Sequence, residues 1–311
     1  MNALAHDPAE TAAERSSRMA QQEELRIIAE DLARSDATAE ERALGPRIIN
    51  GENVVQEDEN WQWTVSLQRD KRHICGGTFV SPSLSAAGTR IVWNSNDPKP
   101  LWVLTAAHCL KDHTSHSYRI ASGNVNITDH DKQAVEEIFI HPKYDSNTLA
   151  NDIALLKLTP ITSPNPDNKR RSIAIVSEAE AVWIHDAYTA LNVMGWGRTT
   201  DSFVSQMLQR VRVPYVDLGT CSDAYNAAGE HLRPGMICAG YSSGGFDSCQ
   251  GDSGGNMTYI PAPRVPGPVN EPVFTGIVSW GIGCAKPNLY GVYTSVLAFR
   301  DWMDKTVKPK L

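Results

Sequence analysis

The chain has 311 residues, 41% of them hydrophobic, enough for one large packed domain or two smaller ones. Its net charge of −7 argues against nucleic acid or an anionic membrane surface as a partner, and no apolar run of about 18 residues is present to cross a bilayer as a helix. The charge is uneven: residues 1–47 hold ten acidic side chains against six arginines, and the remainder is only mildly acidic.

Residues 1–47 contain no aromatic side chain and no cysteine. Leu25, Ile28, Ala29 and Leu32 recur at helical spacing, which predicts an amphipathic helix over 14–34. Thr38 and Glu41 have capping-box spacing for a second short turn. Gly45-Pro46 then ends any helix and presents Arg47 in extended chain. The opening residues MNALAHDPAE lack the basic start and long apolar stretch of a signal peptide.

Beyond Arg47 the pattern changes to short apolar runs separated by turn residues. Strands are expected at 63–67, 101–105, 153–158, 191–194, 274–279 and 291–294, which together indicate an all-β barrel or sandwich. The Pro-rich stretch 159–167 is a natural link between two halves. A final helix over 296–307 would bury Val296, Phe299 and Met303 and turn Arg300 and Asp301 outward. His113 and His116 have loose metal-ligand spacing without nearby partners, and read as a surface loop. Asn126-Ile127-Thr128 and Asn256-Met257-Thr258 are glycosylation sequons, meaningful only in a eukaryotic secretory host.

Three short motifs carry chemistry. Thr105-Ala106-Ala107-His108-Cys109 offers a base, Asn151-Asp152-Ile153-Ala154-Leu155-Leu156 offers a carboxylate leading into a strand, and Gly251-Asp252-Ser253-Gly254-Gly255 offers a hydroxyl between glycines. A serine hydroxyl needs a base, an orienting acid and an oxyanion site before it attacks a carbonyl. Any one motif alone reads as a turn, a core histidine or a strand end. Their joint occurrence in the order His, Asp, Ser resembles the chymotrypsin/trypsin family of serine endopeptidases from Ile48 to about Trp302.

That resemblance implies two six-stranded antiparallel β-barrels, about 48–163 and 164–311, with the active site between them and a C-terminal helix. Residues 1–47 would be a partly helical activation peptide. Ser253 would be the nucleophile, His108 the general base and Asp152 its orienting carboxylate, with the Gly251 and Ser253 N–H groups as oxyanion hole. Asp247 would floor a pocket for Arg or Lys, assisted by Ser248, with Gly281 and Gly291 at its mouth. Tyr225 would support the pocket, and Ser279-Trp280-Gly281 would pair with substrate backbone. Cleavage after Arg47 would free the Ile48 amine to pair with buried Asp252.

The six cysteines permit three bridges, and the resemblance implies Cys75–Cys109, Cys221–Cys238 and Cys249–Cys284, in an oxidising, secreted or periplasmic setting. A further family bridge would join positions occupied here by Leu191 and Tyr259, so both halves are missing together. Asn50 and Asn256 depart from the family's usual Gly and Pro, and Asp129 and Asp131 give only a fragment of a calcium site. Tyr290 stands where many trypsins carry proline, so a sodium ion held by the Lys286 and Leu289 carbonyls is an expectation. The expected partners are polypeptide substrates and protein inhibitors. Segments 81–100 and 259–273 exceed the family's usual lengths: the first should form a surface tip remote from His108, the second a stiff loop.

Overall fold

The computed structural model describes residues 51–110, 114–162, 165–185, 189–197, 204–245, 252–260, 271–283 and 286–311. The expected helix over 14–34 and the turn at Thr38 lie outside them. Two closed barrels follow one another along the chain. The first consists of β2 (Thr64–Arg69), β3 (Arg72–Leu84), β5 (Trp102–Thr105), β6 (Tyr118–Ser122), β7 (Asp131–Ile140) and β8 (Ala154–Leu158). Its strands run in the order β2-β6-β7-β8-β5-β3, and a β2–β3 ladder closes it. The second consists of β10 (Ala190–Gly195), β11 (Gln209–Val216), β12 (Met236–Ala239), β13 (Asn256–Tyr259), β14 (Val273–Trp280) and β15 (Gly291–Ser295). Its order is β11-β10-β13-β14-β15-β12, closed by β11–β12 pairing. Closure leaves neither barrel with a bare edge of its own.

Short additions decorate this frame. β1 (Glu52–Asn53) pairs with β11, and β9 (Ala174–Ile175) runs parallel to β14. Helix α1 (Glu178–Ile184) starts at a capping box, in which the Ser177 side chain accepts from Glu180 N–H and the Glu180 side chain accepts from Ser177 N–H. Helix α2 (Leu218–Ala227) is capped by Asp217. Neither helix belongs to the six expected strands, although Ser177-x-x-Glu180 was a readable signal.

Alternation explains the burial of β2. Val65 and Leu67 fill the first barrel, while Thr64 and Ser66 face outward and are nevertheless wholly buried, because the second barrel covers that face. There Asn256 Nδ2 donates to Thr64 Oγ1 at 3.0 Å. Asn256 has no exposed surface, so its sequon is closed to glycosylation in the folded chain. Leu191 and Tyr259 are both buried in the second barrel's apolar cluster, which fills the space of the missing bridge. The bridges Cys75–Cys109 and Cys221–Cys238 are formed, whereas Cys249 and Cys284 lie outside the described residues.

The insert at 81–100 prolongs β3 and returns as β4 (Ile91–Asn94), an added hairpin beyond the barrel. At about 3.3 Å per residue, Ser81 stands about 20 Å along β3 from Cys75. It packs on the carboxyl-terminal segment: Trp93 Nε1 donates to Asp304 at 2.7 Å, and Arg300 lies over the Trp93 ring. Arg300 is therefore half-covered, not simply outward. The ending is a 3-10 turn, Leu297–Phe299, followed by α3 (Arg300–Val307). Val296, Met303 and Val307 have no exposed surface, and they extend the first barrel's core. Truncating Met303 to Ala should cost about 2–5 kcal/mol by opening a cavity under the helix. Urea unfolding of Met303→Ala against wild type checks this; a loss below about 1 kcal/mol would mean that the helix does not depend on that anchor.

Candidate active site

His108 sits in a 3-10 turn, Ala107–Cys109, that directly follows β5, and the Cys75–Cys109 bridge ties this turn to β3. Asp152 arrives from the neighbouring strand of the same barrel, just ahead of β8, which pairs with β5. Leu149 and Asn151 both have positive φ, +51° and +57°, and this double bend turns the chain into the strand. Asn151 tolerates that backbone, and its side chain donates to the Lys143 carbonyl at 2.7 Å.

The Asp152 carboxylate is wholly buried and fully engaged. Its Oδ1 accepts from the His108 backbone N–H at 2.9 Å, and its Oδ2 lies 2.8 Å from His108 Nδ1. Ser279 of β14 donates its hydroxyl to the same Oδ2 at 2.6 Å. Thr294 of β15 donates to the Asp152 carbonyl at 3.0 Å. Burying a carboxylate costs several kcal/mol unless donors replace its water, and here both barrels supply them. A donated Nδ1–H fixes the tautomer in which Nε2 is free to accept a proton. Tyr144 shares this surface; desolvation, then the Asp152 charge, pushes its phenol up to about 12.

Ser253 occupies a turn that two backbone bonds hold against both barrels and a third closes internally. Gly76 N–H of β3 donates to the Ser253 carbonyl at 2.7 Å, Gly254 N–H to Val278 of β14, and Gly255 N–H to Asp252. Because Gly76 adjoins Cys75, and Cys75 is bridged to Cys109, the serine turn and the histidine turn share one rigid frame. Gly254 has φ +77°, and a Cβ there would come within 2.3 Å of Thr105 Oγ1 and 2.7 Å of the Gly76 carbonyl. The motif needs glycine there for both reasons.

Asp252 points away from Ser253 into the second barrel and has no exposed surface. Gly197 N–H donates to its Oδ1 at 3.0 Å, and a Cβ on Gly195 or Gly197 would overlap the carboxylate. Ser279 is buried and Trp280 half-buried, with the Trp280 ring edge-on to Tyr225 at 4.9 Å. Tyr225 donates to the Tyr290 carbonyl at 2.5 Å, just ahead of Gly291. A Cβ on Gly281 would stand in ordinary van der Waals contact with the Gly283 carbonyl at 3.6 Å and the Tyr225 hydroxyl at 3.7 Å. Arg47, Ile48, Asn50, Asp247, Ser248, Cys249, Gly251 and Cys284 lie outside the described residues.

Bonds within the protein occupy groups at three places where a metal could be considered. Asp131 is paired with Arg170 at 2.8 Å, which spends the calcium-like fragment on an ion pair. At the expected sodium ligands, the Lys286 carbonyl accepts the Leu289 N–H at 3.2 Å, closing a turn. His108 lies near the Cys75 and Cys109 sulfurs, but the disulfide removes the thiolates a metal would need. Sequence reading missed Thr105, Thr294 and the Gly195/Gly197 cradle. A threonine within a strand carries no local mark of such a role.

Behind the cradle, His130 packs edge-on to Trp196 at 5.0 Å, and its Nε2 lies 2.6 Å from the Asn124 carbonyl. Desolvation holds the ring largely neutral and lowers its pKa to about 4.

Residues 97–303 match the family model described as Trypsin. Serine protease 56 of Homo sapiens is 34% identical over 278 residues, which are 88% of this chain and 40% of that protein. Its Mus musculus counterpart is 36% identical over 270 residues, 85% of this chain and 39% of that protein. The chain thus spans about two fifths of the length of these two relatives. The Vitellin-degrading protease of Bombyx mori is 33% identical over 264 residues, 84% of this chain and 86% of that protein.

The His130 geometry yields a pH prediction. Its folded pKa lies below the ordinary value of 6.5, so the unfolded chain binds the proton first. Stability should be full above pH 6.5 and fall as pH drops towards 4, by on the order of 3 kcal/mol from this group. Urea midpoints across that window, for wild type and His130→Gln, provide the check. An equal slope in both proteins would rule the histidine out as the cause.

Proposed function

The chain belongs to the trypsin family of serine proteases, and from that premise we propose that it is a secreted endopeptidase, made as a zymogen, that cuts after Arg or Lys. The observation that carries the reading is the buried Asp152 carboxylate bound to His108 Nδ1, beside a serine turn fastened to the histidine's own disulfide frame. His108 Nε2 takes the Ser253 proton as the hydroxyl attacks the substrate carbonyl, and returns it to the leaving amine. Asp152 stabilises the imidazolium between those steps. The N–H groups of Gly251 and Ser253 receive the developing oxyanion. Water then repeats the sequence on the acyl-enzyme. The disulfides support an oxidising compartment.

The specificity reading rests on Asp247, six residues before Ser253, and on Gly281 and Gly291, which match the glycines at the pocket mouth in the family's pattern. A carboxylate at the end of an apolar slot selects a guanidinium or ammonium group. Wild type should therefore cleave peptides after Arg and Lys, and Asp247→Ser should lose about 10²- to 10³-fold in kcat/KM for Arg substrates. Preferential cleavage after Phe or Leu by the wild type would overturn this assignment.

The zymogen reading joins Arg47, the residue type that pocket accepts, to the buried Asp252. A cut between Arg47 and Ile48 creates an amine able to pair with that carboxylate, and so couples processing to the oxyanion loop. Because the enzyme's own specificity fits this bond, purified wild type should shift in mass to a chain beginning at Ile48. Ser253→Ala and Arg47→Gln should stay full length. Maturation of purified Ser253→Ala at the wild-type rate would assign the cut to another protease; full activity with residues 1–47 attached would end the zymogen reading.

A further inference from the structure

Thr105 closes β5 three residues before His108 and has no exposed surface. The β3–β5 ladder pairs Val80 with Trp102, Phe79 with Val103 and Thr78 with Leu104, and stops there. Where it stops, a side chain takes over: Thr105 Oγ1 donates to the Gly76 carbonyl at 2.8 Å in a buried bond. Gly76 is the residue whose N–H donates to the Ser253 carbonyl at 2.7 Å. On its other edge Thr105 pairs with Ala154 of β8, two residues past Asp152. One buried threonine thus links the segments that carry His108, Asp152 and Ser253. Its hydroxyl also fills the space over Gly254, where a Cβ would come within 2.3 Å of it.

We propose that Thr105 is a positioning residue for the proteolytic reaction: its hydroxyl and the Cys75–Cys109 bridge form a two-point clamp that sets His108 against Ser253. The proposal rests on the protease reading above. The bridge fastens the histidine turn to Cys75 one residue after His108, and the hydroxyl fastens it to the adjoining Gly76 three residues before His108. A single attachment is a pivot about which the turn can swing. Two attachments, one on each side of the imidazole, fix its direction. The bonds from His108 to Asp152 do not replace them, because they tie the base to its acid and leave that pair able to shift together relative to the serine. Proton transfer needs Nε2 within hydrogen-bond reach of the serine hydroxyl, and a misplacement of about 1 Å can cost about 10²-fold in rate. Being buried, Thr105 meets no substrate; it acts through the placement of His108 and Ser253.

The test separates the hydroxyl from the rest of the side chain. Thr105→Val keeps the shape and removes the donor, whereas Thr105→Ser keeps the donor and gives up a methyl group. Both are compared with wild type at the same state of processing, on a tripeptide Arg amide, each well below its urea transition. Thr105→Val should lose about 10- to 10²-fold in kcat with KM within about twofold of wild type, and Thr105→Ser should stay within about threefold in both. A second arm needs no turnover: the low-field ¹H NMR signal of His108 Nδ1–H should shift or broaden in Thr105→Val and hold its position in Thr105→Ser. If Thr105→Val does not fold, Thr105→Ala takes its place, since it removes the hydroxyl without setting a methyl beside Gly254. A wild-type kcat in the variant without the donor overturns the proposal. So does an equal loss in Thr105→Ser, which would assign the effect to packing, or a loss confined to KM. If wild type cleaves no substrate yet the NMR signal still depends on the hydroxyl, the clamp stands and the protease reading fails; a signal indifferent to the hydroxyl overturns the clamp.

Discussion

The Asp152 carboxylate is the point on which the architecture converges. It belongs to the first barrel, yet two of the hydroxyls that hold its residue, on Ser279 and Thr294, belong to the second. An unsolvated carboxylate in this seam would be costly, so the two barrels must meet in one relative position to satisfy it. That same position sets the imidazole ring of His108, since Oδ1 and Oδ2 grip its backbone and its Nδ1 together. Packing and chemistry share one constraint here.

A second buried carboxylate, Asp252, imposes a parallel demand within the second barrel. Gly195 and Gly197 clear the volume it occupies, and Trp196 between them is fixed by a 2.9 Å bond from its Nε1 to the Val125 carbonyl of the other barrel. Ser253 therefore lies between two acids that play different parts: one oriented through His108, the other anchored in the cradle. The glycines on its far side let β3 and β14 approach the turn from opposite directions. The close fit leaves little freedom in the Ser253 backbone, which is what preorganisation of the proposed nucleophile requires.

The insert at 81–100 shows how such a frame tolerates growth. It extends strands that already exist, adds one antiparallel partner and buries Trp93 against the last helix. Its added surface is thereby covered without touching the seam. Arg171 works similarly at the link between barrels, lying over Trp63 and donating to Asn96 of the insert.

The sequence by itself determined the fold class and most of the chemistry. Short apolar runs between turn residues marked the barrel strands at 63–67, 153–158 and 274–279, and three local motifs marked His108, Asp152 and Ser253, because apolar runs and glycine-flanked turns are short-range properties. Local signals also marked helix α3 through Val296, Phe299 and Met303. What only the tertiary structure decided were the relations between distant residues. Nothing local distinguishes Thr294 from any other strand threonine, or Gly197 from any other turn glycine, until Asp152 and Asp252 are brought beside them. Propensity is written into a few neighbouring residues, whereas the burial of a charge and the donors that satisfy it depend on how separate strands close into barrels.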